Sequence, residues 1–311
     1  MTYHRLQTRE GDRFYREAGA GEPIVFLHCS SGSSGAWVSV MNQLGRDYRA
    51  LAPDLLGYGR SAPWPRDLPL ASDGELGVLE ALLDVVGQPV HLVGHSYGGT
   101  VALNAARRFP RRVASLTLIE PVAFHLLRRA DEPTGWREIA ALAERHLALV
   151  REGRDAAAAE AFVTYWSGPK AWQQMPDAAR DSTVRSAAKV AAEWLLMFAL
   201  EDDCDAIAGI EAPMLLVCGG RTRPPARQVV EILRQALLHA RYQEIADAGH
   251  MSPLTHPACI AEAIQHHVGA VNAIALGRAT VRFPIPSSET LQDRRGNALA
   301  TEVPSFHPRF G

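Results

Sequence analysis

Short apolar runs separated by helical stretches constrain this 311-residue chain more than any other feature. Residues 23–28 (PIVFLH), 48–54 (YRALAPD), 89–94 (PVHLVG), 113–119 (VASLTLI) and 214–218 (MLLVC) are the clearest of them. Runs this short are strands rather than helices, and runs this continuously apolar need cover on both faces, as in a parallel sheet. Helical patterns lie between them, as in residues 75–86 and 100–109. Strand–helix alternation implies right-handed crossovers, so the expected fold is α/β, a doubly wound and mostly parallel sheet.

The alternation stops between about residues 122 and 205. Here the chain is Ala-rich and strand-free. In residues 138–150, Ile139, Leu142, Leu149 and Val150 fall at helical spacing, and further helices are expected over 155–165 and 178–200. The strand pattern resumes at Pro213. An all-helical block inserted in this way is expected to lie as a lid over the C-terminal edge of the sheet, where open α/β sheets bind ligands. The predicted organisation is a core from residues 1–121 and 206–270, a helical cap over 122–205, and an unassigned extension over 271–311.

Composition narrows the partners. The chain is 47% apolar and 21% charged, with 32 Lys and Arg against 34 Asp and Glu, a net charge of −2. That is globular composition without a basic field for nucleic acid or anionic lipid. No apolar run approaches the roughly 18 residues of a membrane span, and the start, MTYHR, has no apolar signal core. A cytoplasmic protein with a small-molecule partner is expected. Cys29, Cys204, Cys218 and Cys259 are far apart and include no C-x-x-C pair, which indicates neither a disulfide framework nor a zinc knuckle. The last three are expected to be buried small hydrophobes.

One motif carries chemistry. Gly94-His95-Ser96-Tyr97-Gly98 fits G-x-S-x-G, with an apolar strand before it and a helical pattern after it. That setting holds a serine hydroxyl at the apex of a sharp turn, above the unpaired N–H groups of a helix N-terminus. A serine nucleophile needs a base. His250, in Ala248-Gly249-His250-Met251-Ser252-Pro253, follows the strand-like residues 242–245 and should project over the same sheet edge as Ser96. His95 should point away from the site, and His28 should brace its loop. His256, His266 and His267 need only core or surface roles on or near the final helix.

With these residues the chain resembles the α/β-hydrolase fold family of serine hydrolases, over residues 20–120 and 210–268. Residues 54–61 (DLLGYGRS) are similar to the family's structural D-x-x-G-x-G-x-S loop. The resemblance implies the order nucleophile, acid, histidine. It places the acid in the turn after the strand that follows the cap, but here that turn reads CGGRTRP and has no carboxylate. A second position in the family is the end of the strand after the nucleophile helix, and here that strand ends in Glu120. A carboxylate closing an apolar strand is costly unless partnered, and His250 is a suitable partner. Glu120 is therefore the expected acid, with Asp202, Asp203, Asp205 and Asp247 as rivals.

The resemblance also implies an oxyanion hole. One donor is the backbone N–H of Tyr97, and the other is that of Ser30, with Cys29 as runner-up. Cys29 stands where the family often has glycine. Of the aromatics in the first loop and the cap, Trp37, Trp136, Trp166 and Trp194 are expected to contribute walls of a substrate pocket. No cofactor or metal site is expected. The implied activity is hydrolysis of an ester, lactone or related acyl bond. Carbon–carbon bond hydrolysis and cofactor-free perhydrolysis use the same constellation, and a non-catalytic binding protein on this scaffold is a further alternative.

Overall fold

In the computed structural model, residues 1–8, 11–45, 47–129, 134–201 and 204–277 are described. Eight strands form one sheet: β1 (Thr2–Thr8), β2 (Gly11–Ala18), β3 (Glu22–Leu27), β4 (Tyr48–Pro53), β5 (Val90–His95), β6 (Val113–Ile119), β7 (Met214–Gly219) and β8 (Arg241–Ile245). Their order is β1-β2-β4-β3-β5-β6-β7-β8. The β1/β2 and β2/β4 pairs are antiparallel and the other pairs are parallel. The sheet is thus mostly parallel, as the apolar runs require. β3, β5, β6 and β7 are buried almost throughout because helices cover both faces.

The hairpin β1–β2 is not among the strands expected from the apolar runs. Its residues are mostly polar, and only Leu6 and Tyr15 are fully buried. An edge hairpin needs one inward residue per strand, so the long apolar run that marks the inner strands is missing.

The helices are α1 (Val38–Leu44), α2 (Ser72–Val86), α3 (Tyr97–Arg108), α4 (Thr134–Arg151), α5 (Asp155–Ser167), α6 (Ala171–Gln174), α7 (Asp177–Arg185), α8 (Ala187–Ala199), α9 (Cys204–Ala208), α10 (Pro224–Ala236), α11 (Ser252–Thr255) and α12 (Pro257–Ala275). One core lies under α1 and α12, around Phe26, Trp37, Val93 and Ile264. A larger one lies on the other face, around Leu92, Leu118 and Val229, and continues into α4 and α8 through Ile139, Val190 and Trp194.

Between β6 and β7 every described element is helical. The single helix expected over 178–200 is two helices, α7 and α8, broken at Ser186. The Ser186 hydroxyl bonds the Thr183 carbonyl inside the turn, a local competitor to helix continuation that no glycine or proline signals. At the other end α12 continues to Ala275, five residues past the expected end of the core at residue 270. Residues 278–311 lie outside the described residues. Of the cysteines, Cys218 is buried, but Cys204 is half-buried and Cys259 is exposed on α12, contrary to expectation. Among the described residues no helix is long and apolar enough to cross a membrane, and no group of His, Cys, Asp and Glu could hold a metal ion.

Candidate active site

The sheet order reverses at β3, with β4 on one side and β5 on the other, and side chains converge at the C-terminal ends of these strands. Ser96 links β5 to α3 and has φ 56° and ψ −120°. So sharp a turn works only with glycine on either side. A Cβ on Gly94 would meet the Gly98 carbonyl oxygen at 2.4 Å, and one on Gly98 would meet the Leu27 carbonyl oxygen at 2.3 Å. Ser96 N–H donates to the Ile119 carbonyl at 3.0 Å, which ties the turn to the end of β6.

Glu120 follows directly on β6, fully buried and with φ 43°. Its carboxylate accepts three hydrogen bonds. Gly219 N–H donates to Oε1 at 2.7 Å, Thr222 Oγ1–H to Oε2 at 2.5 Å, and His250 Nδ1 lies 2.7 Å from Oε2. Burial alone would raise this carboxyl's pKa. The contacts with His250, Thr222 and Gly219 outweigh it and hold the group below the usual carboxylate value. The end of β7 and the turn after it therefore supply donors to Glu120 and carry no carboxylate of their own. A Cβ on Gly219 would meet the Ala248 carbonyl oxygen at 2.4 Å, so this position needs glycine for close approach.

His250 lies in the loop after β8, buried, with Nε2 3.0 Å from Ser96 Oγ. Nδ1–H donating to Glu120 leaves Nε2 free to accept from Ser96. The structure thus brings Ser96, His250 and Glu120 into one chain of hydrogen bonds. Among the rivals, Asp247 is exposed and pairs with Arg221, Asp205 is exposed on α9, and Asp202 and Asp203 lie outside the described residues.

Two residues hold the imidazole that the sequence pattern does not assign to this role. The indole of Trp166, on α5, stacks on it with ring centroids 4.0 Å apart. His95 Nε2–H donates to the His250 carbonyl at 2.8 Å. Burial first, and the neighbouring His250 second, push the His95 pKa down to about 3, so this donor is a neutral imidazole. His28 braces its loop: Nδ1–H donates to the Cys29 carbonyl and Nε2 accepts from Leu55 N–H.

A cavity of about 460 Å³ opens onto Ser96 and His250. One wall is the loop after β3, including Cys29 and Ser30. The opposite wall comes from the helices between β6 and β7, through Phe162, Trp166, Met175 and Thr183. Among the described residues lining it, none is Asp, Glu, Lys or Arg. Of the four expected pocket tryptophans, Trp166 lines the cavity and the others do not. Trp37 packs on Phe26 in the sheet core, Trp136 on Phe198, and Trp194 on Phe124. Trp136 and Trp194 sit on inward helix faces and Trp37 directly precedes α1, and in each place the indole fills core volume.

Ser30 and Cys29 both lie at the cavity, and Tyr97 is the first residue of α3, so its N–H is an unpaired first-turn donor. Burial pushes the Cys29 thiol up to about 12, which keeps it protonated at neutral pH.

Comparison with known proteins adds to this geometry. The model of the alpha/beta hydrolase family matches residues 24–263. The chain belongs to the alpha/beta hydrolase family. This alpha/beta hydrolase is 26% identical to lipase 1 of Psychrobacter immobilis over 253 residues, 79% of the chain and 77% of the lipase. It is 36% identical to 2-hydroxymuconate semialdehyde hydrolase of Pseudomonas sp. (strain CF600) over 130 residues, 39% of the chain and 44% of that enzyme. Several further relatives are likewise matched over under half of their length, down to 30%. The crystal structure of the enol-lactonase from Burkholderia xenovorans LB400 superimposes with a TM-score of 0.69 at 20% identity, covering 86% of the chain and all of the lactonase, a likeness of fold.

Proposed function

We propose that this alpha/beta hydrolase is a serine hydrolase that cleaves an ester, lactone or related acyl bond through an acyl-enzyme. The observation that carries the reading is the continuous chain Ser96 Oγ–His250 Nε2, His250 Nδ1–Glu120 Oε2, at 3.0 and 2.7 Å, opening on a largely apolar cavity. In this mechanism Ser96 attacks the carbonyl carbon while His250 takes its proton. Glu120 keeps the imidazole in the required tautomer and stabilises the imidazolium. The N–H groups of Tyr97 and Ser30 receive the oxyanion. The proton then passes from His250 to the leaving oxygen, and a water activated by His250 releases the acid. Residues 122–205 act as the cap that closes the cavity from above.

The walls favour an uncharged substrate. Hydroxyls, aromatic rings and methionine offer no counter-ion to a carboxylate among the described lining residues, which sets an ester or lactone ahead of an anionic diketone. The test is labelling by a fluorophosphonate, followed by a panel of neutral esters, lactones and diketones. Stoichiometric labelling at Ser96 and turnover of neutral acyl substrates are expected. Ser96→Ala should lose labelling and lower turnover by several powers of ten, with an unchanged melting temperature. Near-normal turnover in Ser96→Ala rules the acyl-enzyme out.

A further inference from the structure

Lys189, Glu193 and Glu75 form an ionic cluster that is almost completely removed from solvent. Lys189 Nζ donates to Glu75 Oε1 at 2.9 Å and to Glu193 Oε1 at 2.8 Å. Tyr58 OH donates to the same Glu193 oxygen at 2.7 Å, and Leu56 N–H donates to Glu75 Oε2 at 3.1 Å. The ammonium also lies 4.8 Å from the centroid of the Tyr97 ring and 5.1 Å from that of Tyr58. Burial by itself would lower the Lys189 pKa, but the two carboxylates override it and keep the amine above its usual value.

Such a cluster is a poor source of stability, because desolvating three charges offsets most of their attraction. Its position is informative. The remaining Glu193 oxygen, Oε2, accepts from Ser30 Oγ–H at 2.5 Å, and Glu75 Oε1 accepts from Tyr97 OH at 3.4 Å. Ser30 and Tyr97 are the two residues whose backbone N–H groups take the oxyanion in the function proposed above. They come from separate segments, the loop after β3 and the start of α3. Their side chains meet the same cluster, and two of its members, Lys189 and Glu193, stand four residues apart on α8 of the cap. A second tie runs from Ser31 Oγ to Ser186 Oγ, 3.0 Å apart, at the start of α8. Ser31 has φ 56°, so the loop is held in a conformation that serine rarely adopts.

We infer that Glu193 and Lys189 are positioning residues for the oxyanion hole: through Ser30 on one side and Glu75–Tyr97 on the other, the cap helix fixes the spacing of the two donors. The inference rests on the proposed function. Lys189 also offsets the Glu193 carboxylate, which lies directly behind the Ser30 donor and would otherwise repel the developing negative charge. The strut acts on the tetrahedral species and not on the planar substrate, so its loss should appear in kcat and leave KM in place.

The experiment compares the wild-type full chain with Ser30→Ala, Ser30→Thr and Glu193→Gln. Ser30→Ala keeps the backbone N–H and removes only the hydroxyl that reaches Glu193, and circular dichroism with a melting curve is the folding control. The measurements are kcat and KM on an aryl acetate, inhibition by a trifluoromethyl ketone that forms a tetrahedral adduct with serine, and the rate of fluorophosphonate labelling. Ser30→Ala and Glu193→Gln should each lower kcat about 10- to 100-fold, less than or equal to the loss of a whole donor. KM should stay within about two-fold, and ketone affinity should fall in step with kcat. Ser30→Thr, which retains the hydroxyl, should recover most of the loss. Unchanged kcat and ketone affinity in Ser30→Ala and Glu193→Gln, with the wild type labelled normally, overturn the strut alone. A wild type that no fluorophosphonate labels overturns the serine-hydrolase reading together with it.

Discussion

Glu120 combines two features that rarely coincide without a purpose: complete burial of a carboxylate and a left-handed backbone in a residue that has a Cβ. The backbone alone stores about 1–3 kcal/mol, which the surrounding bonds must offset. Three donors to two oxygens do so, and they also aim Oε2 at His250. Glu120→Gln keeps the shape but presents an amide to the imidazole, which selects the wrong tautomer and leaves the imidazolium unpaired. Turnover should fall by up to about 10⁴, the scale of loss that an Asp-to-Asn change causes in a serine protease triad. Asp247→Asn and Asp205→Asn, on exposed side chains, should stay within a few-fold of wild type. Steady-state kinetics on one ester, with circular dichroism as the folding control, decides between them. A collapse of Asp247→Asn with Glu120→Gln intact would move the acid elsewhere. The meeting of Ser96, His250 and Glu120 is readable from sequence because each closes a recognisable strand or turn. Thr222, Gly219 and His95 are not, since their contribution is a bond direction that only the folded loops create. Lys189 and Glu193 leave a trace, two opposite charges four apart within the apolar run of α8, though periodicity does not tell a buried pair from a solvated one.

At the scale of elements, α5 is where the helices between β6 and β7 meet Ser96 and His250. Phe162, Val163 and Trp166 line the cavity from this one helix, and Trp166 also covers the face of His250. Phe162→Ala should therefore shift the preference among ester chain lengths toward longer acyl groups by enlarging the wall. Trp136→Ala and Trp194→Ala should mainly lower stability, by about 3–5 kcal/mol as large core truncations do. Chain-length profiles and urea midpoints of the three variants separate the two classes. A changed profile in Trp136→Ala, with Phe162→Ala unaltered, would contradict the placement. Strand content is legible in the inner strands because each is apolar on both sides. It is illegible in β1 and β2, where most residues are polar and one buried side chain per strand, Leu6 and Tyr15, suffices. The division of α7 from α8 depends on one serine hydroxyl and on its contact with Ser31, which no local pattern encodes.

Across the whole molecule, buried histidines are expected to lower stability in acid. His28, His91, His95, His146 and His267 all have their pKa lowered chiefly by burial, His95 to about 3 and His267 to about 4. Each folded value lies below the unfolded one near 6.5, so the unfolded chain binds these protons first. Stability is complete above about pH 6.5 and declines as pH falls toward the folded values, by roughly 1.4 kcal/mol per pH unit for each proton. The urea midpoint should drop between pH 7.5 and 5, and His267→Gln should flatten that slope by about one proton. A midpoint that stays level over this interval would show that these histidines protonate in place. The position of Glu120 has a consequence in time as well. Its partners Gly219, Thr222 and His250 all lie 99 or more residues downstream. On the ribosome, Ser96 and Glu120 emerge together at the ends of adjoining strands, long before anything exists that can hold the charge. The edge beside β6 must stay wet until β7 and the loop after β8 arrive, since a bare carboxylate cannot be enclosed. On the proposed chemistry, a half-synthesised chain is therefore inert, and the loop after β8, the last of the described strands, is what arms it.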